Sequence, residues 1–503
     1  MKAVAEKRPQ TAIQGVMSAT LYNTLSKIAI FSRHVVITAV IGLSVGLDAF
    51  YIAVAVVSIF INTFGDIFDS VGIPVLLRVR GGGGEVYRRL EGTLFSWTVK
   101  MGVGLTALMV LSLPFVTSLV PGFPAGSRNL IWINLFALVP YALVYLPYHC
   151  LGSFQRARRD FRSFFMAEFL VALIALGMIL AMPSTEIAVP ISVSAGYCGG
   201  ALVLWFMERR HIRFVGSPPH EETREILGMV WKLLPVYALV YALLLIDRYF
   251  ASFLQTGGIA ALSYAFMLAT AIPLILNVEN VFITPLSEES DHGALMTQIL
   301  CGALIITAPV VAFTMSHARD IVALLFERGA FTATAAELTS TALSHYIFGL
   351  PAMIIWPVCY RLYQVYRRPK TIYWIGLMAV LFNGTMNYLL VMRAGWGIAG
   401  IAFTTAVSNW LVLVAGLLWL PRFGVHVVYR DLGAVVANVA MGTFAAFAVS
   451  ASIPRGLPHW VEVPFLGTVF IVVYALVVFL LPGRQVRVIR DIVLHSVAPR
   501  RSK

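Results

Sequence analysis

Lys27, Arg33 and His34 stand inside an otherwise apolar run, LSKIAIFSRHVVITAVIGLSVGLDAF, residues 25–50. Cations in such surroundings can bind an anion, with phosphate or carboxylate the natural choices, or close onto an acid elsewhere in the chain. On a helical wheel of about 100° per residue, Thr20, Asn23, Ser26, Lys27, Arg33, His34 and Thr38 share one sector roughly 140° wide. Only Ile30 and Ile37 interrupt it. Lys27 and Arg33 lie near opposite flanks of that sector, about 9 Å apart along the axis. A Lys or Arg at mid-span costs about 2.5–3.5 kcal/mol on insertion scales, so two facing lipid are disfavoured. The stripe is read as facing a polar cavity, against the competing readings of snorkelling or a private ion pair.

Further polar groups sit in apolar segments. Asp48 opens the second span, and Asp66 and Asp69, three apart, share a face of its other half. Tyr237, Tyr241 and Arg248 lie on one face of a later span, with Asp247 beside them, and Asn383 and Asn387 align four apart on another. Glu168 and Glu279 are isolated carboxylates. Each alone reads as a satisfied structural residue; several on separate spans point to a solvated pathway.

The elements that carry these groups are membrane helices. The chain of 503 residues is 59% hydrophobic and only 12% charged, with a mean hydropathy of +0.83. That is about half the charge of an ordinary soluble domain. Cutting at charge runs and at Gly and Pro gives fourteen spans of about 20 residues or more: 14–42, 48–77, 92–120, 129–152, 162–182, 186–207, 229–254, 259–286, 294–314, 336–364, 371–393, 397–420, 431–453 and 461–482. The first is read as an uncleaved span. Of 37 Lys and Arg residues, 26 fall on the side of the N-terminus, 5 on the other side and 6 within spans. The asymmetry predicts both termini in the cytoplasm and explains the net charge of +13 without nucleic acid. Trp97, Trp231, Trp374 and Trp460 lie near span ends as interfacial anchors.

Loops are short. The longest outer one, 316–337, contains DIVALLFERGAF, which predicts a short helix lying at the interface. The glycines at 81–84 lack the strand, Lys and Ser/Thr of a phosphate-binding loop. Cys150, Cys198, Cys301 and Cys359 have no metal-like spacing and read as small buried hydrophobes. Pro273, Pro285, Pro351 and Pro357 interrupt spans eight and ten, where bending is tolerated if neighbours satisfy the backbone.

A faint similarity between the segments around IGLSVGLDAFYIA and IDRYFASFLQTGGIAALSYAF suggests two related six-span bundles. The resulting division is a tail (1–13), a first lobe (14–207), a linker (208–228), a second lobe (229–420), two further spans (421–482) and a basic tail (483–503). Catalytic motifs are missing: there is no H-E-x-x-H, no G-x-S-x-G and no acid–base cluster among His292, His317 and His345. A carrier is favoured over a membrane-embedded glycan ligase. A drug or small-cation exporter stays open as an alternative, since it would need an anionic, aromatic cavity.

LDAFYIA (47–53), IDRYFASFLQTGGIAALSYA (246–265), ALLFERGAFTATA (323–335), YIFGLPA (346–352) and RLYQVYRRPKT (361–371) resemble the MurJ/MviN lipid II flippase family, within the multidrug/oligosaccharidyl-lipid/polysaccharide exporter superfamily. The resemblance implies an all-α fold of fourteen spans, with two six-helix lobes around a central cavity and a lipid-tail groove on the last two helices. It implies translocation by alternating access of a polyprenyl-diphosphate-linked glycan, lipid II or a related lipid, for peptidoglycan or exopolysaccharide synthesis, with cell-envelope enzymes as further partners. Lys27 and Arg33 match its cavity cations and Asp48 its acidic residue; with Asn23 and Arg248 they form the expected substrate-binding set. Where the family carries arginines in spans two and eight, this chain has SIFINTF (58–64) and Met267, which leaves other lipid-linked glycans open. No cofactor is implied. Sodium or the membrane potential is the implied coupling source, with Asp247, Asn383 and Asn387 resembling the family's sodium site, although a carboxylate would be expected at Asn387.

Overall fold

Runs of about 20 apolar residues cannot leave backbone N–H and C=O groups unpaired in lipid, so they must be helical. The computed structural model describes residues 12–80, 84–182, 185–209, 212, 221–276, 291–366, 368–454, 456, 458–481 and 485–486, and among these every regular element is a helix. Glu279, Pro285, glycines 81–83 and most of both basic tails lie outside the described residues, as do the side chains of residues 12–20. Among the described residues, thirteen helices are long and apolar enough to cross a membrane. The fourteenth sequence-predicted span, 259–286, is helical over Gly258–Leu276, the part that is described. The chain is thus an all-α, multi-pass membrane protein.

The chain forms two compact units: Met1–Ala260 with Arg328–Thr332, and Ala261–Glu327 with Ala333–Lys503. In the first, α1 (Ala12–Ile41) leads into α2 (Val45–Val57) and α3 (Thr63–Arg80), which form one span joined by a π-helical turn, Ser58–Asn62. There follow α4 (Gly84–Leu111), α5 (Arg128–Ala137), α6 (Val139–Ala157), α7 (Phe161–Ala181), α8 (Ala188–Glu208) and α9 (Glu221–Ala251). α1 packs on α7, α7 on α8, and α6 on α3, α4 and α8. Close approach uses small residues, as membrane helices require: a side chain on Gly196 would strike the Val171 carbonyl, and one on Gly152 the ring of Phe164. A core of Phe64, Ile67, Phe68, Leu94, Phe154 and Leu204 joins these helices. The seventh long helix, α9, belongs to this unit and hydrogen-bonds α3 through Tyr237 and Tyr241.

The second unit comprises most of α10 (Gly258–Leu276), then α11 (His292–Phe326), α12 (Ala333–Tyr346), α13 (Leu350–Val365), α14 (Pro369–Asn387), α15 (Gly397–Trp419), α16 (Tyr429–Ala451) and α17 (His459–Leu480). The last two pack on each other and on α11 around Ile305, Phe470 and Tyr474. Phe444 and Leu480 are about 80% exposed (77% and 83%), as side chains meant for lipid should be. Trp231, Trp374 and Trp460 are exposed as well.

A helical stretch is present where the charge pattern placed a short helix, at DIVALLFERGAF. Residues 318–326 form it, set off from the longer part of α11 by a kink at His317 (φ −118°, ψ 21°). At the kink the His317 ring stacks on that of Phe313, with centroids 4.5 Å apart. The motif's glycine has its own reason. Arg328–Thr332 packs with the first unit, where the Ala330 amide donates to the Ala39 carbonyl at the end of α1 (2.7 Å). Gly329 has φ +60°, and any Cβ there would collide with the same carbonyl.

Candidate functional site: a cationic cavity in the first unit

The neighbours of α1 decide what its polar stripe faces. Packing on α7 leaves a cavity of about 410 Å³ inside the first unit, and Ser26, Lys27, Arg33 and His34 all line it. Arg33 and His34 meet at 3.5 Å. Lys27 makes no hydrogen bond or ion pair among the described residues. A charged amine in a cavity, bonded to nothing, is a site prepared for an anion or water. Two expected members of the stripe lie elsewhere. Thr38 is buried and donates to the Val35 carbonyl of its own helix (2.8 Å), and Asn23 is half-buried outside the cavity wall.

The opposite wall is one that sequence reasoning missed. α6 contributes Tyr141, Tyr145, Tyr148 and His149, and α8 contributes Tyr197. Their rings pack edge-on and tilted with centroids 4.3–5.6 Å apart, including Tyr141–Tyr197 at 4.7 Å and Tyr145–His149 at 4.3 Å. Tyr141 donates to Asn62, in the π-helical turn, at 2.8 Å. The run YALVYLPYHC carries the signal: positions 141, 145, 148 and 149 have the i, i+4, i+7 spacing of one helix face.

Below the tyrosines, the paired acids of α3 acquire partners. Asp69 accepts from His149 Nδ1 (2.8 Å), Ser153 (2.8 Å) and Arg156 (2.5 Å). Asp66 accepts from Tyr241 (2.6 Å), and Ser70 bonds Tyr237 (2.7 Å). One turn further, Arg158 bridges the buried carboxylates of Glu91 and Glu208. Burial works against the Arg158 charge, but Glu208 and Glu91 prevail and hold its guanidinium above its ordinary value.

Asp48 and Arg248 occupy different ground from the stripe. Asp48 is 4% exposed, and its carboxylate accepts the amides of Gly257 (2.6 Å) and Ala260 (2.7 Å). It therefore caps the start of α10, as an acid at a helix N-terminus does, and is absent from the cavity wall. Arg248 is also buried; it donates to the Ile259 carbonyl (3.3 Å) and lies 5.9 Å from the ring centre of Tyr51. Asp247 is buried in the first unit, and Asn383 and Asn387 hydrogen-bond each other (3.0 Å) in the second. No group of three or more His, Cys, Asp or Glu able to hold a metal ion occurs among the described residues.

A family model described as lipid II flippase MurJ matches residues 37–476. The chain belongs to this family. It is 21% identical over 496 residues to a probable lipid II flippase MurJ of Thermotoga maritima, covering 95% of this chain and 97% of that one. It is 24% identical over 421 residues to a Rhizobium meliloti protein of the same description, covering 78% of each. Among solved structures, a lipid II flippase MurJ in an inward closed conformation superposes with a TM-score of 0.77 at 17% identity, over 96% of this chain and all of that one. An inward-facing multidrug resistance transporter of the MATE family and MOP superfamily follows at 0.66 and 14% identity, over 83% of this chain and 98% of that one. At such identities the structures speak to the fold.

Proposed function

We propose that this MurJ-family chain is a flippase that carries a polyprenyl-diphosphate-linked glycan, lipid II foremost, from the cytoplasmic to the outer leaflet of a bacterial inner membrane by alternating access, supplying peptidoglycan synthesis. The observation that carries the reading is the pairing of Lys27 and Arg33 on the wall of one cavity. A diphosphate bears about two negative charges, and charge-assisted bonds to fixed cations in a poorly solvated cavity offset its desolvation. Both termini lie on the cytoplasmic side in this reading, as the distribution of Lys and Arg supports.

The test is transport of fluorescent lipid II in proteoliposomes. The unmodified chain should expose labelled lipid on the far leaflet. The Lys27→Ala/Arg33→Ala variant, inserted in equal amount, should lose at least about tenfold in rate, the loss of one charge-assisted interaction of about 1.5–3 kcal/mol or more. Unchanged transport by the double variant refutes the role of the cationic wall. Transport of other lipid-linked glycans but not lipid II would move the substrate within the same class.

A further inference from the structure

The cavity holds one charged group that the reading above leaves without a task. Glu168, on α7, lines the same wall as Lys27. Its backbone carbonyl accepts the Ser26 hydroxyl (3.4 Å), which fixes it against the turn of α1 that carries Lys27. The other carboxylates of this region are engaged: Asp69 by His149, Ser153 and Arg156, Asp66 by Tyr241, and Asp48 by two amides. Among the described residues Glu168 is the single acid on the cavity wall, and its carboxylate makes no hydrogen bond or ion pair.

A fixed cation in a low-dielectric cavity is costly without a counter-charge, yet direct contact with a carboxylate would occupy it. Glu168 stands between these extremes, on the wall of the same cavity as Lys27 and not bonded to it. We propose that Glu168 is the resident counter-ion of the cationic wall: it balances Lys27 while the cavity is empty and is the group that an incoming diphosphate must outcompete. The proposal rests on the diphosphate reading of the cavity and adds to it a residue that sets release. Without this acid the head group would be held more tightly before and after crossing, and binding that does not discriminate between states does not speed a cycle.

Two measurements on the full-length chain test this separately. In the first, purified wild type and Glu168→Gln are titrated with farnesyl diphosphate as the probe. The variant should bind about fivefold to tenfold tighter, the scale of one like charge removed from a site whose fields water largely screens. In Lys27→Ala/Glu168→Gln the gain should shrink, because the two charges are coupled. In the second, Ile30 on the cavity wall is replaced by cysteine in a background lacking the four native cysteines. Its rates with anionic and cationic methanethiosulfonates are compared with and without Glu168→Gln. The anionic-to-cationic ratio should rise about fivefold. An unchanged ratio overturns the counter-ion proposal whatever the lipid. A raised ratio with equal farnesyl diphosphate affinity overturns the competition. A raised ratio with no binding by either protein removes the diphosphate reading and leaves Glu168 as a counter-ion alone.

Discussion

Two groups of cations in the first unit meet opposite fates. Arg156 and Arg158, at the end of α6, are tied to carboxylates: Arg156 to Asp69 at 2.5 Å, and Arg158 to both Glu91 and Glu208. Lys27, in mid-helix on α1, faces a carboxylate on the cavity wall and bonds nothing. The same residue types therefore serve different ends. Where a buried charge is matched at contact distance it holds helices together, and where it is matched only at a distance it stays available to a ligand. Removing one from each group separates stability from transport.

The largest effect on folding is expected for Arg158→Ala. It strands Glu91 and Glu208, which are 1% and 2% exposed, and should cost about 3–5 kcal/mol. Thermal unfolding in detergent would show a large drop in midpoint, whereas Lys27→Ala should stay within about 0.5 kcal/mol of wild type while losing transport. A large loss of stability in Lys27→Ala would erase the contrast. Asp69→Ala comes next. It deprives His149, Ser153 and Arg156 of one acceptor, but the two cationic side chains, His149 and Arg156, keep 16% and 20% of their surface exposed, so roughly 2 kcal/mol is expected. The smallest is Asp48→Ala, which removes a cap from α10. It should lower stability by about 1–2 kcal/mol and leave farnesyl diphosphate binding to the cavity unchanged. Weakened binding would return Asp48 to the substrate set.

How far the sequence spoke for itself depended on which physical signal each feature left. Helix formation and thirteen of the spans followed from hydropathy, because lipid leaves the backbone no other choice. The stripe on α1 was legible because polar residues on an apolar rod stand out by period alone, and Lys27 and Arg33 do share a cavity. Asp48 was not legible as a cap. Its partners are the amides of Gly257 and Ala260, some 210 positions away, and no local spacing announces them. The tyrosine wall of α6 was written in its spacing but hidden by chemistry, since tyrosine reads as apolar in a membrane segment. Glu168 stood out as an intramembrane acid, but which charge it faced depended on how α7 is turned toward α1, and α7 is apolar nearly all round.

The wide turn Ser58–Asn62 has a consequence for everything that follows it in the span. A helix advances about 100° per residue, so the extra residue taken up by that turn resets the angular phase of α3 against α2. Asn62 looks toward Tyr141 from within the turn, and beyond it Asp66 and Asp69 are aimed at Tyr241 and His149. Deleting a single residue there would turn the lower half of the rod by about a third of a revolution and swing both acids away from their donors, although hardly any hydrophobicity would be lost. The span therefore works as two rods set at a fixed rotation, and the joint sets what each presents to its neighbours.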